Sequence, residues 1–149
     1  MRLSMSKREI TLYIVDIFIA INKLHRYTSK FTDAETFKWS ELEWDASIRE
    51  LEIIGEATKV LINSDILSNN KYRKIVDFRN MISHGYFGID EDEVFMVIKE
   101  RLETLNDELM ELIKVQNISI MEAINLAIQE NSFNKKLTEF LKNLRNKVQ

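Results

Sequence analysis

The first third of the chain carries an apolar pattern with the repeat of an α-helix. Between about Lys7 and Tyr27, apolar residues recur every three to four positions, which predicts a helix. They are Ile10, Ile14, Ile17, Ile21 and Leu24. A second apolar row on the same helix consists of Leu12, Val15 and Ile19. A helix that is apolar nearly all round is usually buried on all sides. In so small a domain, the pattern suggests burial against a second subunit.

The same repeat continues towards the middle of the chain, with polar breaks between segments. An N-cap at Thr32 or Asp33 predicts the start of a long helix that runs on through WSELEWDASIRELEIIGEATKVLI. Within that helix, Gly55 would permit a close approach of a neighbouring helix. A third helix is expected from about Lys71 to Ser83, ending where Gly85 takes the left-handed C-terminal position.

The second half of the chain predicts further helices. Asp90 and Glu93 have the spacing of a capping pair at the start of a fourth helix. Its apolar line is Val94, Ile98, Leu102, Leu105, Leu109 and Leu112. After Asn117 the segment ISIMEAINLAIQ follows, then a break near Asn131-Ser132. The apolar side of a last amphipathic helix is Phe133, Leu137, Phe140, Leu141, Leu144 and Val148. With no proline and only three glycines in 149 residues, the chain favours an all-α fold.

Composition narrows the class of protein. A hydrophobic content of 45% over 149 residues fits a single domain spanning residues 1–149. The absence of cysteine excludes disulfides and thiolate metal sites. No apolar run approaches the roughly 20 residues that cross a bilayer, and no signal-peptide core follows the N-terminus. We therefore expect a soluble cytoplasmic protein with no membrane partner.

Charge is unevenly distributed along the chain. The net charge of −3 argues weakly against a nucleic-acid partner. However, residues 135–149 contain five basic residues against the single acid Glu139, and KYRK at 71–74 is a second basic cluster. These local patches could contact phosphates.

Arg79 occupies an unusual place in the third predicted helix. It falls within an apolar face formed by Tyr72, Ile75, Val76 and Ile82. An unpaired buried charge is costly, so this guanidinium must meet a carboxylate, a phosphate or an opening. Glu52 and Glu56, one helical turn apart, are either solvated or one of them pairs with Arg79. The sequence leaves both alternatives open.

Arg79 and His84 together suit metal-free cleavage of RNA. An imidazole with a pKa of about 6.5 can move the protons of the reaction, and a guanidinium stabilises negative charge on phosphorus. One chain supplies one such histidine, and a two-fold dimer would supply two. The alternative is that the spacing arose by chance and that His84 is a helix cap. His25 is expected to be structural. The sequence shows neither metal-site spacing nor a Gly-rich phosphate loop.

Two motifs resemble those of a known family. RNMISHGYFGID, at 79–90, resembles the Arg-x4-His-x-Tyr signature of HepT-type toxins in the HEPN superfamily. LEIIGEATK, at 51–59, resembles the family's second motif, and WDASIRE before it fits as well. The resemblance covers roughly residues 8–112.

The resemblance implies a fold, an activity and partners. The fold would be a HEPN-type antiparallel bundle of four to five main helices, forming a homodimer. The activity would be that of a metal-independent endoribonuclease, the toxin of a type VII HepT/MNT toxin–antitoxin module. By position, Arg79 would stabilise the phosphate, His84 would be the general acid and base, and Asn80 would support the site. The antitoxin, a minimal nucleotidyltransferase (MNT), would inhibit the toxin by transferring AMP to Tyr86. This chain would need no cofactor, since the antitoxin uses the ATP.

Residues 116–149 depart from the family pattern as a C-terminal helical extension, expected to pack on or beside the bundle. It could serve packing, RNA binding or antitoxin docking. Two other functions also stay open. One is a non-catalytic nucleotide-binding or substrate-binding subunit of a nucleotidyltransferase pair, and the other is a purely structural bundle. The sequence does not indicate whether the RNA would be mRNA or tRNA.

Overall fold

A computed structural model describes residues 6–83 and 89–149, and over these ranges the chain forms helices and no strand. The helices are α1 Lys7–Thr28, α2 Ala34–Trp39, α3 Glu41–Asn63, α4 Asn69–Ser83, α5 Glu91–Met96, α6 Leu102–Val115, α7 Met121–Glu130 and α8 Lys135–Val148. A π-helical segment, Val97–Arg101, joins α5 to α6. The prediction of an all-α helical bundle is confirmed. Within the described ranges, no helix is both long enough and apolar enough to cross a membrane.

Helix α1 lies at the centre of the bundle, where it contacts α3, α6, α7 and α8. Its N-terminus is capped by Ser6, whose hydroxyl accepts the Glu9 N–H at 3.2 Å. Its buried residues include Ile14, Ile17, Ile21 and Leu24, as the apolar repeat predicts, whereas Ile10 is partly buried. Full burial of one such side chain stabilises the fold by about 1.5–3 kcal/mol.

The second apolar row of α1 faces the C-terminal extension of the same chain. Leu12, Val15 and Ile19 line a crevice together with Ala123 and Ala127 of α7. Helix α7 of the same chain thus covers part of this side of α1, and Leu12 and Ile19 stay partly buried beside the crevice. The resemblance still predicts a dimer.

The predicted long helix that starts at Thr32 or Asp33 is divided in two. Asp33 is the N-cap, and its carboxylate accepts the Thr36 N–H at 2.8 Å. The chain leaves the helical conformation at Ser40, with φ −86° and ψ 84°, so α2 and α3 are separate helices. This break accompanies complete burial of Phe37, whose ring packs against Trp44 and other aromatic residues.

Helices α3 and α4 pack closely at Gly55, as the sequence predicts. An ideal Cβ at position 55 would lie 2.2 Å from the Cβ of Arg79 and 3.3 Å from the Ile75 carbonyl oxygen. Real side chains do not approach so closely, and only glycine fits this contact. The missing side chain thus brings the backbone that carries Arg79 directly against α3.

The C-terminal helix differs from its prediction at its start. Asn134 is the N-cap of α8, and its side chain accepts the Leu137 N–H at 3.2 Å. Leu137, Leu141 and Leu144 are buried, as predicted. Phe133, predicted on the apolar side of this helix, instead precedes the cap and is fully exposed. The apolar side of α8 packs on α7 and α1.

Candidate functional site

The guanidinium of Arg79 is held by two polar side chains at the C-terminal end of α4. Its Nη2 atom lies 2.8 Å from Oε2 of Glu56 on α3. Its Nη1 atom donates a hydrogen bond of 3.2 Å to Oδ1 of Asn80. Of the two alternatives for the glutamates, the structure shows Glu56 paired with Arg79. The apolar face around Arg79 thus contains a compensated charge.

Among residues 6–83 and 89–149, only Glu56 and Asn80 contact the polar atoms of the Arg79 side chain. A guanidinium has five N–H donors, and the contacts with Glu56 and Asn80 use two of them. The Arg79 side chain is 30% exposed and that of Glu56 is 52% exposed. An ion pair this exposed contributes on the order of 0–1 kcal/mol to stability. The pair therefore orients the guanidinium without removing it from solvent.

A cleft of about 290 Å³ opens beside Arg79 between α1, α3 and α4. We call it the Arg79 cleft. Its lining residues are Tyr13, Asp16, Arg49, Glu52, Ile53, Glu56, Ala57 and Arg79. Three carboxylates and two guanidinium groups face one another there, so the charge of the lining is slightly negative. Arg79 thus has both a carboxylate partner and an opening, two of the three alternatives that its sequence position predicts.

Three polar lining residues of the Arg79 cleft were not identified from the sequence. Tyr13 and Asp16 are polar positions between the apolar rows of α1, and Arg49 precedes Glu52 and Glu56 on one side of α3. The signal that could have found them is this polar line at helical spacing on two neighbouring helices. Such a line indicates a shared cleft only once the two helices are known to pack together.

Two carboxyl groups near this cleft have raised pKa values. Desolvation in the cleft, together with the negative charge of Glu130, raises the pKa of Asp16. Burial raises the pKa of Glu50, and Lys23, whose Nζ lies 3.7 Å from Oε1, opposes that shift. Ionisation of both carboxyl groups is therefore less favourable here than in water.

The other predicted site residues lie partly outside the structure's range. His84 and Tyr86 fall outside the described residues, so their positions relative to Arg79 and Asn80 stay predictions. His25 is exposed on α1 and does not line the Arg79 cleft. Within residues 6–83 and 89–149, no group of three or more histidine or acidic side chains is placed to hold a metal ion.

Comparison with known proteins adds an independent line of evidence. The family model described as "Ribonuclease HepT-like" matches residues 17–112. A Methanocaldococcus jannaschii protein named "Putative RNase MJ1380" is 35% identical over 107 residues, which cover 70% of this chain and 96% of that protein. A second protein of that organism, named "Gamma-glutamylcyclotransferase and putative RNase MJ0434", is 28% identical over 72% of this chain and 49% of its own length.

A Thermococcus cleftensis protein named "Probable ribonuclease HepT" is 31% identical over 104 residues, which cover 68% of this chain and 94% of that protein. No solved structure matches the chain. The family match includes α3, α4 and the Arg79–Glu56 pair, and it ends before α7 and α8.

Proposed function

This chain belongs to the ribonuclease HepT-like family, and we propose that it is an endoribonuclease that acts through Arg79 and His84. The observation that carries the proposal is the Arg79 guanidinium. It is oriented by Glu56 and Asn80 at the edge of an open cleft, and three of its five N–H donors have no partner among the described residues. A planar cation with free donors suits binding of a phosphate.

The proposed reaction needs a base, an acid and a cation. The 2′-oxygen of RNA attacks the adjacent phosphorus, a cyclic phosphate forms, and the bond to the 5′-oxygen breaks. His84 accepts the proton of the 2′-hydroxyl or donates one to the leaving 5′-oxygen. Arg79 stabilises the negative charge that builds on the phosphorus oxygens, and Asn80 helps to orient the guanidinium. Each role falls to a side chain, so the proposed mechanism is metal-independent and uses no cofactor.

A homodimer would complete this set of groups. One chain contributes a single histidine in the Arg-x4-His motif, whereas the base and the acid act at the same time on opposite sides of the phosphorus. A two-fold axis that pairs the motif with its copy supplies both imidazoles. This arrangement rests on the resemblance and on the count of histidines.

We also propose the regulation that the family resemblance implies. The partner is an MNT-type nucleotidyltransferase antitoxin, which transfers AMP from ATP to the hydroxyl of Tyr86 and releases pyrophosphate. The added bulk and negative charge would repel an RNA phosphate two residues from His84. Incubation with this antitoxin and ATP should add the mass of one AMP to the chain, and Tyr86→Phe should abolish the addition. An equal gain of mass in Tyr86→Phe would place the modification elsewhere.

RNA cleavage in EDTA by the purified protein tests the proposed activity. We expect the wild-type chain to cut, and Arg79→Ala or His84→Ala to lower the rate by on the order of 10²-fold or more. Arg73→Ala is the matched control, because Arg73 lies on the same helix and pairs with Asp77 at 3.2 Å. It should cut like the wild type.

Equal cleavage by wild type, Arg79→Ala and His84→Ala would refute the proposed role of both residues. Nucleotide binding by calorimetry without any cleavage would support the alternative of a non-catalytic nucleotide-binding subunit. The unfolding midpoint of each variant, measured by circular dichroism, separates lost chemistry from lost structure.

A further inference from the structure

The last helix has an excess of positive charge, whereas the rest of the chain is acidic. Residues 135–149 carry a net charge of +4, and the whole chain carries −3, which leaves −7 for residues 1–134. An acidic body repels the phosphate backbone of RNA, and the Arg79 cleft itself contains three carboxylates. An RNA substrate therefore needs a cationic surface elsewhere on the molecule.

The other basic cluster, KYRK at 71–74, does not provide that surface. Lys71 forms an ion pair with Glu108 of α6. Arg73 forms one with Asp77, at 3.2 Å. Lys74 is left as the single basic side chain of this cluster without such a partner in the described part of the chain. Two of the three positive charges are thus compensated within the protein.

Helix α8 provides an uncompensated cationic surface. Lys135, Lys136, Lys142 and Lys147 are exposed, and no ion pair among the described residues involves any of them. We call these four residues the α8 lysine face. The opposite side of the helix is buried through Leu137, Leu141 and Leu144. Packing thus fixes the helix with its lysines towards solvent, although none of the four forms an ion pair within the described part of the chain.

The place of α8 relates this face to the candidate site. Helix α8 packs on α1, and α1 contributes Tyr13 and Asp16 to the Arg79 cleft. Helix α8 is therefore a direct neighbour of the helix that forms one wall of the cleft. A single RNA strand bound at Arg79 would have to extend beyond the cleft for several nucleotides to reach α8.

We propose that the α8 lysine face binds the phosphate backbone of the RNA substrate at nucleotides outside the cleavage site. The proposal rests on the proposed function, because it assigns the substrate's second contact surface. Lysine binds phosphate as a point charge, without base-specific contacts, so this contact strengthens binding irrespective of sequence. Substrate length, rather than base identity, then decides how much α8 contributes.

The first test measures binding without cleavage. A labelled 2′-O-methyl RNA of 20 nucleotides lacks the hydroxyl that the proposed reaction requires, so its Kd can be measured by fluorescence anisotropy. The triple variant Lys135→Gln, Lys136→Gln, Lys142→Gln should raise that Kd about 10- to 100-fold at 100 mM salt. The slope of log Kd against log salt should fall by about 2, since each phosphate contact to a single strand contributes about 0.7.

A matched control removes the same charge elsewhere. Lys59, Lys74 and Lys114 are exposed residues on α3, α4 and α6, and their triple replacement by glutamine should leave the salt slope nearly unchanged. Replacing the three α8 lysines by arginine should keep wild-type binding. If the control weakens binding as much as the α8 variant does, net charge alone is responsible and the proposal is wrong.

The second test separates this proposal from the proposed activity. With cleavable RNA, the α8 triple variant should lower kcat/KM for a 30-nucleotide substrate and leave that for a 5-nucleotide substrate unchanged. If the wild-type chain binds the 2′-O-methyl RNA but cuts neither substrate, the proposed activity is refuted and the proposed binding surface is not. Unaltered RNA binding by the α8 variant would refute the surface, and would favour an acidic protein partner for this helix.

Discussion

Replacing Gly55 by alanine tests the close contact that brings Arg79 against α3. The added Cβ would lie 2.2 Å from the Cβ of Arg79, where an ordinary carbon–carbon contact needs about 3.5 Å. Both atoms are attached directly to helical backbone, so no side-chain rotation relieves the overlap. Helices α3 and α4 must separate by about 1.3 Å at this point.

Two opposing terms set the size of the effect. Overpacking of a well-packed site costs about 1–3 kcal/mol, and a rigid Cβ–Cβ overlap belongs at the upper end of that range. Alanine in place of glycine inside a helix returns about 0.5–1 kcal/mol. We expect Gly55→Ala to lower the free energy of unfolding by about 2 kcal/mol, and the unfolding midpoint by about 4–8 °C.

The free energy of unfolding lost through Gly55→Ala is measured by urea unfolding, followed by circular dichroism. The three backgrounds are the wild type, Arg79→Ala and Arg79→Gly. In Arg79→Ala the Cβ at position 79 remains and only the Cγ, 2.8 Å from the added methyl, is lost, so the cost of Gly55→Ala should stay close to that in the wild type. In Arg79→Gly that Cβ is absent, and the remaining close neighbour of the added methyl is the Ile75 carbonyl oxygen at 3.3 Å. The cost should then fall by about 1–2 kcal/mol, as a coupling between contacting residues.

The comparison of the two Arg79 backgrounds isolates the contact itself. Both lack the guanidinium, so loss of the ion pair with Glu56 cancels between them. If Gly55→Ala cost the same in Arg79→Gly as in Arg79→Ala, within about 0.5 kcal/mol, the close approach of α3 and α4 would not be what this glycine permits.

Further predictions concern single side chains. Glu56→Gln should lower kcat for RNA cleavage, because Arg79 loses the carboxylate that orients it. It should also lower KM, because one carboxylate fewer faces the RNA. An unchanged kcat would exclude a positioning role for Glu56. Glu50 is 7% exposed and its pKa is raised by burial, so its charge destabilises the fold as pH rises through its folded-state pKa. Glu50→Gln should therefore stabilise the protein at pH 7, with the gain shrinking as pH falls through the folded-state pKa towards the ordinary value of 4.5, and a gain that is largest in acid would contradict this. Phe37→Ala should cost about 3–5 kcal/mol, because Phe37 is fully buried. Phe133→Ala should stay within about 0.5 kcal/mol of wild type in the same urea experiment, because Phe133 is exposed. Similar losses for the two would contradict the exposure of Phe133.

The sequence predicts those parts of the fold that local rules decide. The period of apolar residues locates α1 and α4, and Asp33 and Asp90 are confirmed as helix caps. The break at Ser40 is not a local effect, since a serine is tolerated inside helices. It accompanies burial of Phe37 among the rings of Phe31, Trp44 and Phe95, and Phe95 comes from a distant part of the chain.

The distinction between local and long-range effects also applies to the outer side of α1. An apolar surface on a helix indicates that another element covers it, but it does not identify that element. The apolar rows of α1 suggested a second subunit as that cover, whereas α7 of the same chain lines the crevice beside Leu12 and Val15. Period alone cannot distinguish a partner subunit from a later helix of the same chain, because both remove the same apolar area from water.

Part of the candidate site could be predicted from the sequence, because an unpaired buried charge is costly. That cost requires a partner for Arg79, but the choice between Glu52 and Glu56 depends on the register of α3 against α4. Gly55 sets that register, and Glu56 is the next residue along α3. Tyr13 and Asp16 enter the cleft only because α1 packs on α3, a contact that no local pattern specifies.

The Arg79–Glu56 pair explains why binding and chemistry would be divided between two surfaces. A carboxylate 2.8 Å from the guanidinium fixes its direction but also repels the phosphate that the guanidinium is proposed to stabilise. Glu56 thus orients Arg79 at the cleavage site but weakens the local attraction for RNA. The uncompensated lysines of α8 are suited to restore that attraction at a distance, where their charges cannot disturb the orientation of Arg79. On this reasoning, loss of Glu56 should weaken the chemical step, and loss of the α8 lysines should weaken binding, with little effect of either change on the other quantity beyond the removed repulsion.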